Sequence, residues 1–203
     1  ILCGNYAVAA ALLDESVSLS RKTGSLMWER AAAGVQCWVT ALTDKALDAV
    51  QVIPSAMTGW RSIGATTTLP RSLAYLAKAY AELGRRDNAW RCIEEALMST
   101  EATKERWCEA EIVRVAGEIA VTATELDVPK AQAYFQRALG VARAQQAKSW
   151  ELRVAMSMAR LWRDQGKRDE AHDLLAPVYG WFTEGFDTLD LKEARALLEQ
   201  VAS

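Results

Sequence analysis

The 203-residue sequence predicts an all-α fold, a solenoid of stacked helix pairs with a C-terminal capping helix. Three observations predict it. Residues 73–97, LAYLAKAYAELGRRDNAWRCIEEAL, read as helix, tight turn and helix. Leu73, Leu76, Ala77 and Tyr80 share one helical face, Gly84 ends it, and Ala89, Ile93 and Ala96 form a second face at steps of four and three. This pattern of Ala, bulky residue and Ala recurs as Ala131, Phe135, Ala138 and as Ala171, Leu175, Val178. Weaker copies are Ala46, Val50, Ile53 and Ala9, Leu13, Ser16, so the leading alanines are spaced by 37, 43, 42 and 40 residues. Finally, no stretch alternates apolar and polar residues as a half-buried strand would.

Taken in order, the apolar periodicity predicts helices over 5–22, 27–42, 44–58, 69–83, 86–100, 105–124, 129–146, 149–165, 168–181 and 190–201. Those carrying the alanine pattern are second helices of pairs; the helices before them are first helices. Gly34 and Gly117 fall where two helices must approach closely, and Tyr80 and Trp162 fall at an aromatic position late in a first helix. Gly84 and Gly166 close two of the first helices. Two connections stand out. TGWRSIGATTTLP, 58–70, is long and rich in turn residues; TELDVP, 124–129, is shorter. Pro70 and Pro129 suit the first turn of the helix that follows. Residues 183–203 read as a cap, with Asp190 and Glu193 as a capping-box-like start. Trp181, Phe182, Phe186, Leu191 and Leu198 are expected to cover the last apolar face. A Tyr late in the first helix followed by Ala, bulky, Ala in the second is tetratricopeptide-like, and the whole chain, 1–203, reads as one array of about five such repeats. Neither helix of a pair buries its face alone, so each pair needs neighbours.

Composition sets bounds on function. Charged residues are 25% of the chain and the net charge is −2, which marks neither nucleic acid nor an anionic membrane as the partner. No apolar run reaches the ~18 residues of a membrane span. The opening ILCGNYAVAAALL lacks a basic segment and continues a helical pattern, so it does not read as a signal peptide. The absence of an initial Met reads as a piece of a longer chain. Cys3, Cys37, Cys92 and Cys108 form no CxxC, the usage of a reducing, cytoplasmic compartment. One histidine, His172, gives no basis for a His-based metal site. No nucleotide-binding, metalloprotease or nucleophile-elbow motif occurs. Glu94–Glu95 and Asp169–Glu170 are adjacent in sequence and point to different sides of a helix. The reading is therefore non-catalytic, with no cofactor.

Most of the eight tryptophans are expected in the core. In arrays of this kind the first helices line the concave side. The positions on that side are Trp28, Ala31, Val35 and Trp38; then Arg71, Ala74 and Lys78; then Glu111, Arg114 and Glu118; then Arg153, Met156, Arg160 and Arg163. The expected groove is aromatic at one end and basic at the other. Its binding candidates are Trp28, Trp38, Arg71, Lys78, Arg114, Arg153, Arg160 and Arg163, and the basic end suits an acidic segment of a partner. The competing account of those arginines is a solvated helix face.

The C-terminal part is more specific. SWELR at 149–153, MARLWRDQGK at 158–167 and VYGWFTEGFDTLDLKEA at 178–194 resemble the end of a family of large bacterial signalling proteins. In these, class III adenylate/guanylate cyclase domains are joined to a signal-transducing AAA-type ATPase and a tetratricopeptide tail. The likeness covers 105–203 well and 1–104 loosely; similar tails occur in ATPase-linked transcription regulators. The resemblance implies a regulatory, protein-interaction region that acts in signal transduction. Its partner would be the parent's own upstream domains or another protein. Two alternatives stay open: a small-ligand sensor, with the aromatic end of the groove as its pocket, and an oligomerisation scaffold, which makes the partner a second copy.

Overall fold

A computed structural model gives the fold and describes residues 4–43, 45–122 and 127–202. Every regular element among them is an α-helix. The ten helices are α1 (Tyr6–Thr23), α2 (Leu26–Leu42), α3 (Ala46–Ser62), α4 (Leu69–Glu82), α5 (Arg86–Thr103), α6 (Glu109–Val121), α7 (Val128–Ala144), α8 (Lys148–Asp164), α9 (Arg168–Tyr179) and α10 (Leu189–Val201). They fall into two compact units, one over Asn5–Cys108 and one over Glu109–Ser203.

The expected helices are all present, and one turn design explains several of their boundaries. After α4, Gly84 takes a left-handed conformation and donates to the Ala81 carbonyl, while Arg85 N–H reaches back to Tyr80. After α8, Gly166 and Lys167 bond to Arg163 and Trp162 in the same way. These are the two hydrogen bonds that close a helix over a left-handed residue. After α7 the same bonds form around Gln146, which holds φ 53 without the freedom of glycine. Asp127 caps α7, its carboxylate accepting from Lys130 N–H at 3.0 Å. The connection expected at 124–129 lies partly outside the described residues.

The alanine pattern marks the packed faces. Ala89, Ile93 and Ala96, then Ala131, Phe135 and Ala138, then Ala171, Leu175 and Val178 are all buried. In α3 the register differs from expectation. Ala46 and Val50 are only half-buried, and the core face is Ala49, Ile53, Met57 and Trp60. Reading the copy from Ala49 makes the steps to Ala89, Ala131 and Ala171 40, 42 and 40 residues, more even than the sequence alone indicated.

The connection read at 58–70 is also shorter than expected, because α3 continues to Ser62. The cause is a glycine far away in sequence. Gly34 of α2 leaves a notch that the Trp60 indole fills; a Cβ at Gly34 would lie 1.9 Å from the ring. Trp60 is thereby almost wholly buried, which holds the last turn of α3 in place despite Gly59. Gly117 of α6 gives Phe135 of α7 the same kind of notch, a Cβ there lying 2.4 Å from the ring. The equivalent first-helix positions, 77 and 159, hold alanine, and the residues equivalent to Phe135 are the smaller Ile93 and Leu175.

Three further boundaries depart from the expectation. α6 begins at Glu109, not 105, because Lys104 is left-handed and the chain turns at residues 107–108. That turn is pinned by Trp107, whose Nε1 donates to the Thr67 carbonyl at 3.2 Å. α9 stops at Tyr179, and Trp181 and Phe186 are exposed rather than covering the last apolar face. That face is covered by Leu191, Ala194, Leu197 and Val201 of α10, with Leu197 in the buried position expected of Leu198.

Within each unit every helix packs on the next one in sequence. In addition α2 packs on α4, α6 on α8, and α8 on α10. No such contact joins α3 to α5, or α7 to α9, among the described residues. First helices therefore touch one another while second helices stand apart.

Candidate functional site

In the unit of α1–α5 the first-helix face is dominated by one arginine. Arg71 of α4 is buried with its guanidinium carbon 4.6 Å from the Trp38 ring centre, 5.2 Å from that of Tyr75 and 5.6 Å from that of Trp107. Its Nε and Nη2 both donate to the Tyr75 hydroxyl, at 2.9 and 2.7 Å. Around it, Trp38 meets Trp60 at 5.6 Å and Tyr75 edge-on at 6.1 Å, and its indole N–H donates to Ser72 Oγ at 2.8 Å. Three aromatic faces around one cation offset part of the cost of taking the charge from water. Trp38 is thus core, and Arg71 is held inside an aromatic cage of its own chain. Lys78 pairs with Glu82 at 3.6 Å. Trp28 stands apart, 60% exposed at the start of α2 beside exposed Leu26 and Met27.

In the unit of α6–α10 the same face is ionic. Glu111 is buried and takes both arms of Arg114, at 2.7 and 2.8 Å. Arg114 also bonds to Glu118 and donates to Ser157 Oγ of α8 at 3.1 Å, and Ser157 donates in turn to Glu118. Arg71, Glu111 and Arg153 stand 40 and 42 residues apart, so one position of the repeat draws a charge inward each time.

Arg153, Arg160 and Arg163 do project together from α8, and what they meet is α10. Arg153 Nε donates to Asp190 at 2.6 Å, Arg160 Nη2 to Glu193 at 2.8 Å, and Arg163 Nη1 to Gln200 Oε1 at 2.5 Å. Arg163 also holds Asp164, and Arg153 lies over the Trp150 ring. The acidic segment that suits the basic end is therefore present in the chain itself. This corrects the capping-box reading: Thr188 is the N-cap, and Asp190 and Glu193 serve the arginines. Burial pushes the Asp190 carboxyl above its ordinary value; Arg153 pulls it down, and the charges of Glu111 and Glu193 add to the rise.

The sequence singled out nothing on the second-helix side, yet a cleft of about 630 Å³ opens there between α3 and α5. Met57, Leu73, Leu76 and Cys92 give it an apolar floor, and Arg61, Arg91, Glu94 and Met98 lie along its rim. The one signal for it was Met98, an apolar residue off the core face of α5. Burial pushes the Cys37 and Cys92 thiols up to about 11, so both stay protonated and poor nucleophiles. Cys108 is buried as well, and Cys3 lies outside the described residues. His172 is exposed beside Asp173. Among the described residues no three His, Cys, Asp or Glu side chains stand together as a metal site would need, and no helix is long and apolar enough to cross a membrane. No protein-family model matches the chain, and no curated protein matches it.

Proposed function

We propose that these helix pairs are tetratricopeptide-like repeats and that the chain is a non-catalytic interaction domain. Its role is regulatory, within a multidomain bacterial signalling protein resembling an adenylate cyclase. The observation that carries the reading is the division of the helices: within each unit successive first helices pack on one another and successive second helices do not. Stacking that is close on one side and open on the other gives each unit an inner, first-helix face, the surface such repeats present to a partner. The placement of α10 against α8 supports it, since α10 lies where the next first helix would.

The cations of that face already have partners within the chain, so charge is not what it offers. Trp28, which its spacing along α2 assigns to that face, is the exposed apolar anchor in this reading, and large aromatic residues of this kind dominate binding energy. The partner in this reading is an upstream domain of the same parent. Titration calorimetry of this chain against separately expressed cyclase-type and ATPase-type modules tests it. Trp28→Ala is expected to lower affinity by at least about tenfold, the effect of losing a hot-spot residue, without moving the melting temperature. Absence of binding to either module, or equal affinity for the two proteins, refutes it.

A further inference from the structure

The geometry points to the cleft between α3 and α5 as a docking groove for α1 of a second copy of this chain. The groove is helix-bounded: α3 and α5 flank it without packing on each other, joined at its rim by the Arg61–Glu95 ion pair, and α4 supplies Leu73 and Leu76 as its floor. Met57 and Met98 line it, flexible side chains that repack around an incoming apolar surface. Met98 is 66% exposed.

The same molecule carries a helix of the matching kind. α1 buries Val17 and Ser20, while Val8, Leu12 and Leu19 are 52–60% exposed. Their steps of four and seven place all three on one stripe, a little over a third of a turn away from the buried side. A stripe spaced in this way is how an amphipathic helix enters a groove.

Charge fixes the direction. Glu15 and Lys22, seven residues apart, flank the stripe; Asp14 is held by Gln36 and Arg21 by Glu29. On the groove rim Arg91 precedes Glu94 along α5, and Arg61 is held by Glu95 at 3.2 Å. With α1 laid in the same direction as α5, Glu15 pairs with Arg91 and Lys22 with Glu94, the long Arg91 and Lys22 side chains taking up the difference between the ~10 Å spacing along α1 and the ~4.5 Å spacing along α5. Stripe and groove are different surfaces, so the contact is head-to-tail and the association open-ended. This inference does not depend on the proposed regulatory role.

Sedimentation velocity over a concentration series tests it, using Leu12→Glu on the stripe and Met98→Glu on the rim. Both positions are exposed, so both variants are expected to melt with the parent. The parent is expected to gain mass with concentration without stopping at dimer, and each variant to stay monomeric. An equimolar mixture of the two should form a 1:1 heterodimer, because Leu12→Glu keeps an intact groove and Met98→Glu an intact stripe. Glu15→Arg and Arg91→Glu should each weaken association roughly two- to five-fold, the worth of an exposed ion pair, and the double variant should restore it. A parent that stays monomeric overturns the inference, as does a closed dimer untouched by Met98→Glu or a mixture that remains monomeric. So does a monomeric parent whose melting temperature a small molecule raises through the groove.

Discussion

Replacing Gly117 with alanine tests the notch that joins α6 to α7. The new Cβ would lie 2.4, 2.6 and 3.0 Å from three atoms of the Phe135 ring. Ordinary carbon contacts are ~3.5–4.0 Å, so the ring must retreat by about 1 Å or more. Phe135 is buried in a close-packed face and has nowhere to go. Overpacking of this kind costs ~1–3 kcal/mol, while alanine in a helix interior gains ~1 kcal/mol over glycine. Gly117→Ala is therefore expected to destabilise by about 1 kcal/mol, the overpacking cost less the helix gain. Phe135→Leu alone leaves a void and should cost on the order of 1 kcal/mol, well below the ~3–5 kcal/mol of a Phe→Ala change. Together they reproduce the Ala159 and Leu175 combination of the next pair, and the double variant should approach the parent. Urea unfolding of the four proteins closes the cycle; a favourable coupling of ~1–2 kcal/mol is expected, within the range for residues in contact. Effects that add to within ~0.5 kcal/mol, or a Gly117→Ala protein more stable than the parent, would refute the notch as the reason for glycine here.

Three further outcomes are expected. Ala131→Glu places a charge on a fully buried face and should cost more than the ~1–3 kcal/mol of overpacking alone, whereas Glu95→Ala, losing only an exposed pair, should stay within ~1 kcal/mol; equal melting temperatures would be incompatible with the α7 packing. Asp190 has a raised pKa in the folded protein, so it binds its proton more tightly folded than unfolded. Its contribution to stability is then full below about 3.8 and lost as pH rises through the raised folded value, and Asp190→Asn should remove that part of the pH dependence of urea midpoints; parallel curves for the two proteins would exclude it. Removing residues 183–203 uncovers Leu175 and Val178 and leaves Arg153 and Arg160 without Asp190 and Glu193, so the shortened protein should associate on a sizing column; a monomer of unchanged stability would make α10 an appendage.

What could be read in the sequence was what depends on local spacing. Ala89, Ile93 and Ala96 lie within two turns of one another, so a 3.6-residue period exposes their shared face without knowledge of the neighbour. Gly84 and Gly166 end helices by their own backbone freedom. What escaped depends on side chains far apart in the chain. Gly59 and Gly64 made residues 58–70 look like a loop, but Trp60 is held by a notch 26 residues earlier, and no local pattern records that. Asp190 and Glu193 have capping-box spacing, yet their partners are 37 and 33 residues away on α8. The groove candidates lie on α2, α4, α6 and α8. Whether a charge there is open to a partner also depends on groups outside its own helix, Trp38 and Trp107 for Arg71, Ser157 for Arg114 and Asp190 for Arg153, which counting along one helix does not reveal.

The restriction of packing to successive and next-but-one helices also has a kinetic consequence. Every contact that a unit needs is made between segments close in sequence, so little loop-closure entropy is lost before apolar burial compensates. Low contact order of this kind makes for fast folding, in the microsecond-to-millisecond range of helical domains. The most extensive contacts are α4 with α5 and α6 with α7, one pair in each unit. Each pair is a self-contained nucleus on which the flanking helices can add one at a time. Opening should run the other way, with the helix farthest from the nucleus fraying first: α1 in one unit and α10 in the other. Amide hydrogens of α4 and α7 should then be the last to exchange, and those of α1 among the first.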